Sequence, residues 1–165
     1  MGNELSHVAE DGTVRMVDIS GKPVSRRVAL AEGMIALQPE TISRIEANQI
    51  AKGNVLATAR IAAIQAVKRT DELIPLCHAL PVHHVEIEFE TGESGILIRC
   101  RVTTSAQTGV EMEALTAVSV TALTIFDMCK SVGKGMIIGD LKVMEKTGGK
   151  SGTWRFPIKE QNQSS

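Results

Sequence analysis

Residues 109–131 constrain the fold more than any other part of the chain. They read as one long helix whose middle is apolar on nearly every side, with Leu115, Val118, Val120, Leu123, Ile125 and Phe126 spread round its circumference. A helix of that kind cannot rest on a surface with one face in water. It has to be buried on more than one side, so the remaining elements must be read as its cover.

Val85, Ile87 and Phe89 alternate with His84, Glu86, Glu88 and Glu90, which predicts a half-buried strand. Residues 91–95 supply a hairpin loop, and Ile96, Ile98, Cys100 and Val102 a returning strand. Residues 28–37 predict a first strand, preceded over 16–27 by a polar arm or loop containing Gly and Pro. Pro39 opens a short helix running to about residue 49. Asn54 is an N-cap for a helix over 55–69, with Leu56, Ala59, Ala63, Ile64 and Val67 as its apolar stripe. Residues 136–145 predict a last strand, and 154–158 an edge segment.

The order strand, helix, strand, strand, helix, strand predicts an α+β fold. It is the ferredoxin-like split βαβ arrangement, an antiparallel sheet with helices packed on one face. The 165 residues suit a single core. One catalytic-size domain is expected over 16–158, between flexible ends at 1–15 and 159–165. A small sheet leaves a face or edge to be covered. That, with the over-apolar helix, predicts a homo-oligomer.

Several function classes are excluded. A net charge of −1 and only three Phe, one Trp and no Tyr argue against nucleic-acid binding through a basic field or stacked bases. Three widely spaced cysteines, Cys77, Cys100 and Cys129, give neither a disulfide framework nor a zinc ribbon and fit a reducing, cytoplasmic setting. No apolar h-region follows the N-terminus, and no run is read as membrane-spanning. Gly2 to Ser6 formally fits a myristoylation pattern, but no basic cluster lies nearby to provide a second anchor.

Four places carry candidate chemistry. Thr108 and Glu111 fit a capping box at the start of the long helix, and Glu113 is left over. Asp127 and Lys130 are spaced to share a helix face, as a surface ion pair or as a partly buried acid–base pair. Glu113 and Asp127 are fourteen residues apart, roughly 21 Å along the axis, too far for one nucleotide to touch both. Two copies of the helix packed antiparallel about a two-fold would bring Glu113 of one chain to Asp127 of the other, a site shared between subunits.

Lys146 to Gly152 form a Gly-rich, lysine-bearing loop suited to an anion; Met144 stands where a P-loop needs Gly. Lys52, just before a helix N-terminus, would also suit an anion site. Cys77 and His78 sit in a loop bracketed by Pro75 and Pro81, and with His83 and His84 they lack metal-ligand separation, so no metal is expected.

Taken together, these segments resemble one family, the cyclic pyranopterin monophosphate synthases of the molybdenum cofactor biosynthesis protein C group. The matching stretches are MVDIS from Met16, KGNVLATARIAAIQAVKRT from Lys52, LIPLCHAL from Leu73, TGVEMEALTAVSVTALTIFDMCK from Thr108 and KTGGKSG from Lys146. They run in order over almost the whole chain. Ala79 stands where the family usually has Pro, and Phe126 where it often has Tyr.

The resemblance implies a ferredoxin-like fold assembled as a hexamer of three dimers, with sites between subunits. It implies conversion of the 3′,8-cyclo-7,8-dihydro derivative of GTP to cyclic pyranopterin monophosphate, with release of pyrophosphate. It assigns catalysis to Asp127, Lys130 and Lys52. It assigns substrate binding to Leu76, Cys77, His78, Met112, Glu113 and Lys146. No tightly bound cofactor is implied, and whether magnesium accompanies the triphosphate is left open.

Two other classes compete. A ferredoxin-like metabolite sensor needs no proton shuttle, so Asp127 and Lys130 beside a Gly/Lys loop favour an enzyme. An RNA-binding domain is disfavoured by the near-neutral charge and scarce aromatics.

Overall fold

The computed structural model describes residues 12–150 and 152–157. Most of the predicted N-terminal segment, with its Gly2–Ser6 pattern, lies outside the described residues, as do Ser151, Ile158 and the predicted tail 159–165.

The elements are β1 (Ser25–Ala36), α1 (Pro39–Glu46), α2 (Val55–Val67), α3 (Thr70–Leu73), β2 (Val82–Gly92), β3 (Gly95–Ala106), α4 (Glu111–Cys129), β4 (Ile137–Thr147) and β5 (Trp154–Arg155). They form one sheet of order β2-β3-β1-β4-β5, antiparallel at every pairing. The helices α2 and α4 pack on each other and on the sheet. This is the ferredoxin-like α+β architecture.

The core follows from period-two patterning on β1 and β3. Ala29, Ala31 and Ile35 face the helices from β1; Ile96, Ile98, Cys100 and Val102 face them from β3, all with no exposure. The small β1 residues let α4 come close. A Cβ at Gly33 would lie 2.7 Å from Val118 Cγ1. Each fully buried Ile or Val here contributes roughly 1.5–3 kcal/mol.

The predicted cap of α2 forms: Asn54 Oδ1 accepts the Ala57 N–H at 2.8 Å. On α4, Val118 and Ile125 are buried, but Leu123 is 58% and Phe126 37% exposed. The helix is covered by α2, β1, β3 and β4 and keeps one bare apolar stripe. Among the described residues it alone reaches the length and hydropathy of a membrane span. The sequence predicts no membrane-spanning run; in the fold that apolarity lies against the core, with 56% of the span buried.

Three details differ from expectation. β1 starts at Ser25 because Ser25, Arg26 and Arg27 pair with Ala106, Ser105 and Thr104. The β2–β3 turn is tighter than predicted, since the strands end at Gly92 and resume at Gly95. The outer sheet face is not purely apolar. It carries an ion-pair ladder, with Arg99 on Glu32 and Glu90 at 2.9 Å each and Lys142 on Glu32 at 3.3 Å.

Candidate active site

Where β3 gives way to α4, the chain opens a cleft of about 390 Å³. Leu76, Cys77 and His78 line it together with Met112 and Glu113 and with Val17 and Ile19 of the arm. The proline-bracketed loop and the first turn of α4 thus border the same cleft.

Glu113 is the unusual group: a carboxyl with only 4% of its surface exposed. Burial pushes its pKa up, and the carboxylates of Glu111 and Asp71 push the same way. Burial also raises the Cys77 thiol pKa, with the Glu113 and Asp71 charges adding to it. In the arm, Ser20 donates its backbone N–H to Asp18 Oδ1 at 2.8 Å, which holds the Asp18 carboxyl below its ordinary range; His78 adds to the effect.

The predicted capping box does not form. The N-cap is Val110, with no side-chain cap bond. Glu111 instead folds back over Gly109, where a Cβ would meet Glu111 Oε2 at 1.9 Å, and accepts a hydrogen bond from Lys146 Nζ at 3.0 Å. A charged donor outcompetes a backbone N–H for a carboxylate. Lys146 reaches this point because it pairs with Ala29 and so shares the helix-facing side of the sheet.

At the far end of α4 a second cluster forms. Asp127 sits between two ammonium groups, with Lys52 Nζ 2.7 Å from Oδ2 and Lys130 Nζ 2.8 Å from Oδ1. Lys52 also donates to the Asp127 carbonyl at 2.9 Å, so its charge meets the C-terminal end of α4. The hydrogen bonds from Lys130 and Lys52 lower the Asp127 pKa to about 2. Partial burial was one reading of the Asp127/Lys130 pair; in the single chain their side chains are 56% and 59% exposed.

Two relationships were missed. The predicted place for Lys52 was the N-terminus of α2, yet its partner lies 75 residues away in sequence. The polar sequence predicts a loop at Arg27. That residue lies at an inward position of β1, in register with Ala29 and Ala31, and a charged residue on a core-facing register was the available signal.

A sequence profile described as the MoaC family matches residues 16–149. The chain belongs to the MoaC family. It is 53% identical over 154 residues to a cyclic pyranopterin monophosphate synthase of Thermomicrobium roseum, covering 92% of this chain and 93% of that one. It is also 53% identical to the synthase so named in Desulfitobacterium hafniense, over 90% of this chain and 92% of that one. A molybdenum cofactor biosynthesis bifunctional protein of Chlorobaculum tepidum is 55% identical over 90% of this chain and 47% of its own length.

On this MoaC-family chain, the residues singled out from sequence fall into two groups. Leu76, Cys77, His78, Met112 and Glu113 line one cleft, and Lys146 joins it through Glu111. Lys52, Asp127 and Lys130 form one hydrogen-bonded cluster at the opposite end of α4. Within a single chain the two groups do not meet. Among the described residues no three His, Cys, Asp or Glu side chains gather as a metal-ligand set.

Proposed function

We propose that the chain converts (8S)-3′,8-cyclo-7,8-dihydroguanosine 5′-triphosphate to cyclic pyranopterin monophosphate and pyrophosphate, in molybdenum cofactor biosynthesis. Relatives bearing the synthase name at 53% identity over nine-tenths of the chain support the product. The observation that carries the mechanism is the pair of clusters at opposite ends of α4, one holding a buried carboxyl and the other two lysines on one carboxylate.

The two halves join when two copies of α4 pack antiparallel. Met112, Leu123 and Phe126 support this. All three are exposed, and their spacing of eleven and three residues puts them within about 60° on one helix face. Covering that stripe in a dimer, itself a unit of a hexamer, sets Glu113 of one copy beside Lys52, Asp127 and Lys130 of the other.

Recasting a purine as a pterin requires repeated proton transfers. Glu113, with its raised pKa, is suited to donate a proton. Asp127, ionised in the free chain, gains proton affinity when a second copy removes water from it, and the Asp127–Lys130 pair then exchanges a proton with the substrate. Ring closure forms a bond from a substrate hydroxyl oxygen to the α-phosphorus as the hydroxyl proton passes to the Asp127–Lys130 pair. The bridging P–O bond to the β-phosphate breaks, and pyrophosphate leaves with the electron pair. Lys52 and Lys146 offset the charge that builds on the phosphate oxygens, Lys146 exchanging Glu111 for phosphate.

Incubating the purified protein with the cyclised GTP derivative tests the reading. Cyclic pterin phosphate and pyrophosphate should appear in equal amounts; unchanged substrate would refute it.

A further inference from the structure

Along β3, Ile96, Ile98, Cys100, Val102, Thr104 and Ala106 alternate onto the face that packs against the helices, and all of them are buried. Five are hydrophobic; Thr104 alone carries a hydroxyl, and it has no exposure. Burying a hydroxyl costs free energy unless it finds a hydrogen-bond partner, and valine would fill the same space without that cost. Thr104 is therefore explained by what its hydroxyl holds.

Thr104 Oγ1 donates to the carbonyl oxygen of Pro81, 23 positions earlier in the chain. Pro81 closes the loop that carries Leu76, Cys77 and His78 to the cleft. A proline has no N–H, so its backbone can be held only through the carbonyl. The β2–β3 register also slips at this point, with Val82 opposite Thr104 but His84 opposite Thr103. The loop entrance is fixed separately, by turn bonds from the Ile74 N–H to the Thr70 carbonyl at 2.9 Å and from the Cys77 N–H to the Ile74 carbonyl at 3.0 Å.

From Thr104 the strand runs on to Ala106 and leads into α4, whose first turn bears Met112 and Glu113. Thr104 is thus tied to both borders of the cleft, to α4 through the chain and to the proline-bracketed loop through the hydrogen bond. Leu80, next to Pro81, lines the cleft and packs against the core. A shift of Pro81 therefore carries a cleft-lining side chain with it.

We propose that Thr104 is a positioning residue for the cleft. By holding the Pro81 carbonyl, its hydroxyl sets where Leu76, Cys77 and His78 stand relative to Met112 and Glu113, and so how tightly substrate is bound. Thr104 itself touches no substrate. Pro81 is exposed, so without the hydroxyl its carbonyl turns to water and the loop exit is released. The consequence for substrate rests on the function proposed above; the placement of the loop does not.

The test compares Thr104→Val, which keeps the buried shape and removes the hydroxyl, with Thr104→Ser, which keeps the hydroxyl, both in the full-length protein. With the cyclised GTP derivative, Thr104→Val should raise KM about fivefold or more and change kcat by less than about threefold, whereas Thr104→Ser should match wild type in both. A second readout needs no turnover. Cys100 and Cys129 have no exposure and Cys77 is partly exposed, so iodoacetamide added to the folded protein should alkylate Cys77, followed by mass spectrometry. Thr104→Val should speed that reaction about threefold or more and Thr104→Ser should not. Ile98→Val, on the same face of β3, should lower the melting temperature and leave both readouts unchanged, which separates loop placement from a general loss of stability. If Thr104→Val fails to fold, Thr104→Ala provides the same comparison. Wild-type KM and alkylation rate in the folded variant lacking the hydroxyl, or a serine variant that behaves like the valine one, overturns the proposal. Absence of turnover by wild type refutes the synthase reading instead, and the alkylation rates still decide the role of Thr104.

Discussion

Lys52 Nζ lies 2.7 Å from Asp127 Oδ2, joining the loop before α2 to the last turn of α4 across 75 residues of sequence. Lys130 binds the other oxygen of the same carboxylate. Asp127 therefore holds two ammonium groups at a fixed spacing at the very end of the helix.

The carboxylate of Asp127 is held near a pKa of about 2 by Lys130 and Lys52. Its folded-state pKa lies below its unfolded value of about 3.9. Its contribution to stability is therefore present above pH 4 and is lost as pH falls through 2. Asp127→Asn should flatten the stability profile between about pH 4 and 2 and leave it unaltered at pH 7 and above in slope. Acid titration followed by circular dichroism measures this. A mutant profile parallel to wild type through that window would show that the carboxylate is not held by the lysines.

Lys130 is exposed and packs into no core. Lys130→Ala should lower turnover by at least about a hundredfold, the scale of a lost proton-transfer group, and should hardly move the melting temperature. Product formation and thermal unfolding, measured on the same preparation, separate the two effects. Near-wild-type turnover would remove Lys130 from the mechanism.

Glu113 has a raised pKa because it is buried. Its charged form burdens the folded state; the cost enters above the unfolded pKa of about 4.3 and is complete above the folded one. Glu113→Gln should accordingly gain stability at neutral pH and lose that gain below about pH 4, while turnover drops by about 10² or more. Urea unfolding at both pH values checks the first part. A variant less stable than wild type at pH 7 would mean that the carboxylate is well satisfied in place.

Much of this architecture is readable from residue order. Asn54 before an apolar stripe marks α2, alternation marks β2 and β3, and the βαββαβ order then permits few sheet arrangements. Local patterns misled where a distant partner won. Thr108 and Glu111 satisfy a capping pattern, but Lys146 arrives from β4 and takes the carboxylate. Residues 25–27 look like loop because they are polar, yet their backbone pairs with β3. The Lys52–Asp127 contact is invisible to any local rule, since tertiary folding alone brings the two together. The bare stripe on α4 appeared in sequence only as excess apolarity; the fold shows that Leu123 and Phe126 carry it.

The central claim is that each working site draws on two chains, and mixing two inactive variants tests it most directly. Glu113→Gln and Lys130→Ala chains would be unfolded together and refolded as an equal mixture. Random pairing about a two-fold leaves one intact site in each mixed dimer, so the mixture should regain about a quarter of wild-type turnover. Activity no greater than the sum of the two variants refolded separately would place both groups in one chain's site and contradict the account.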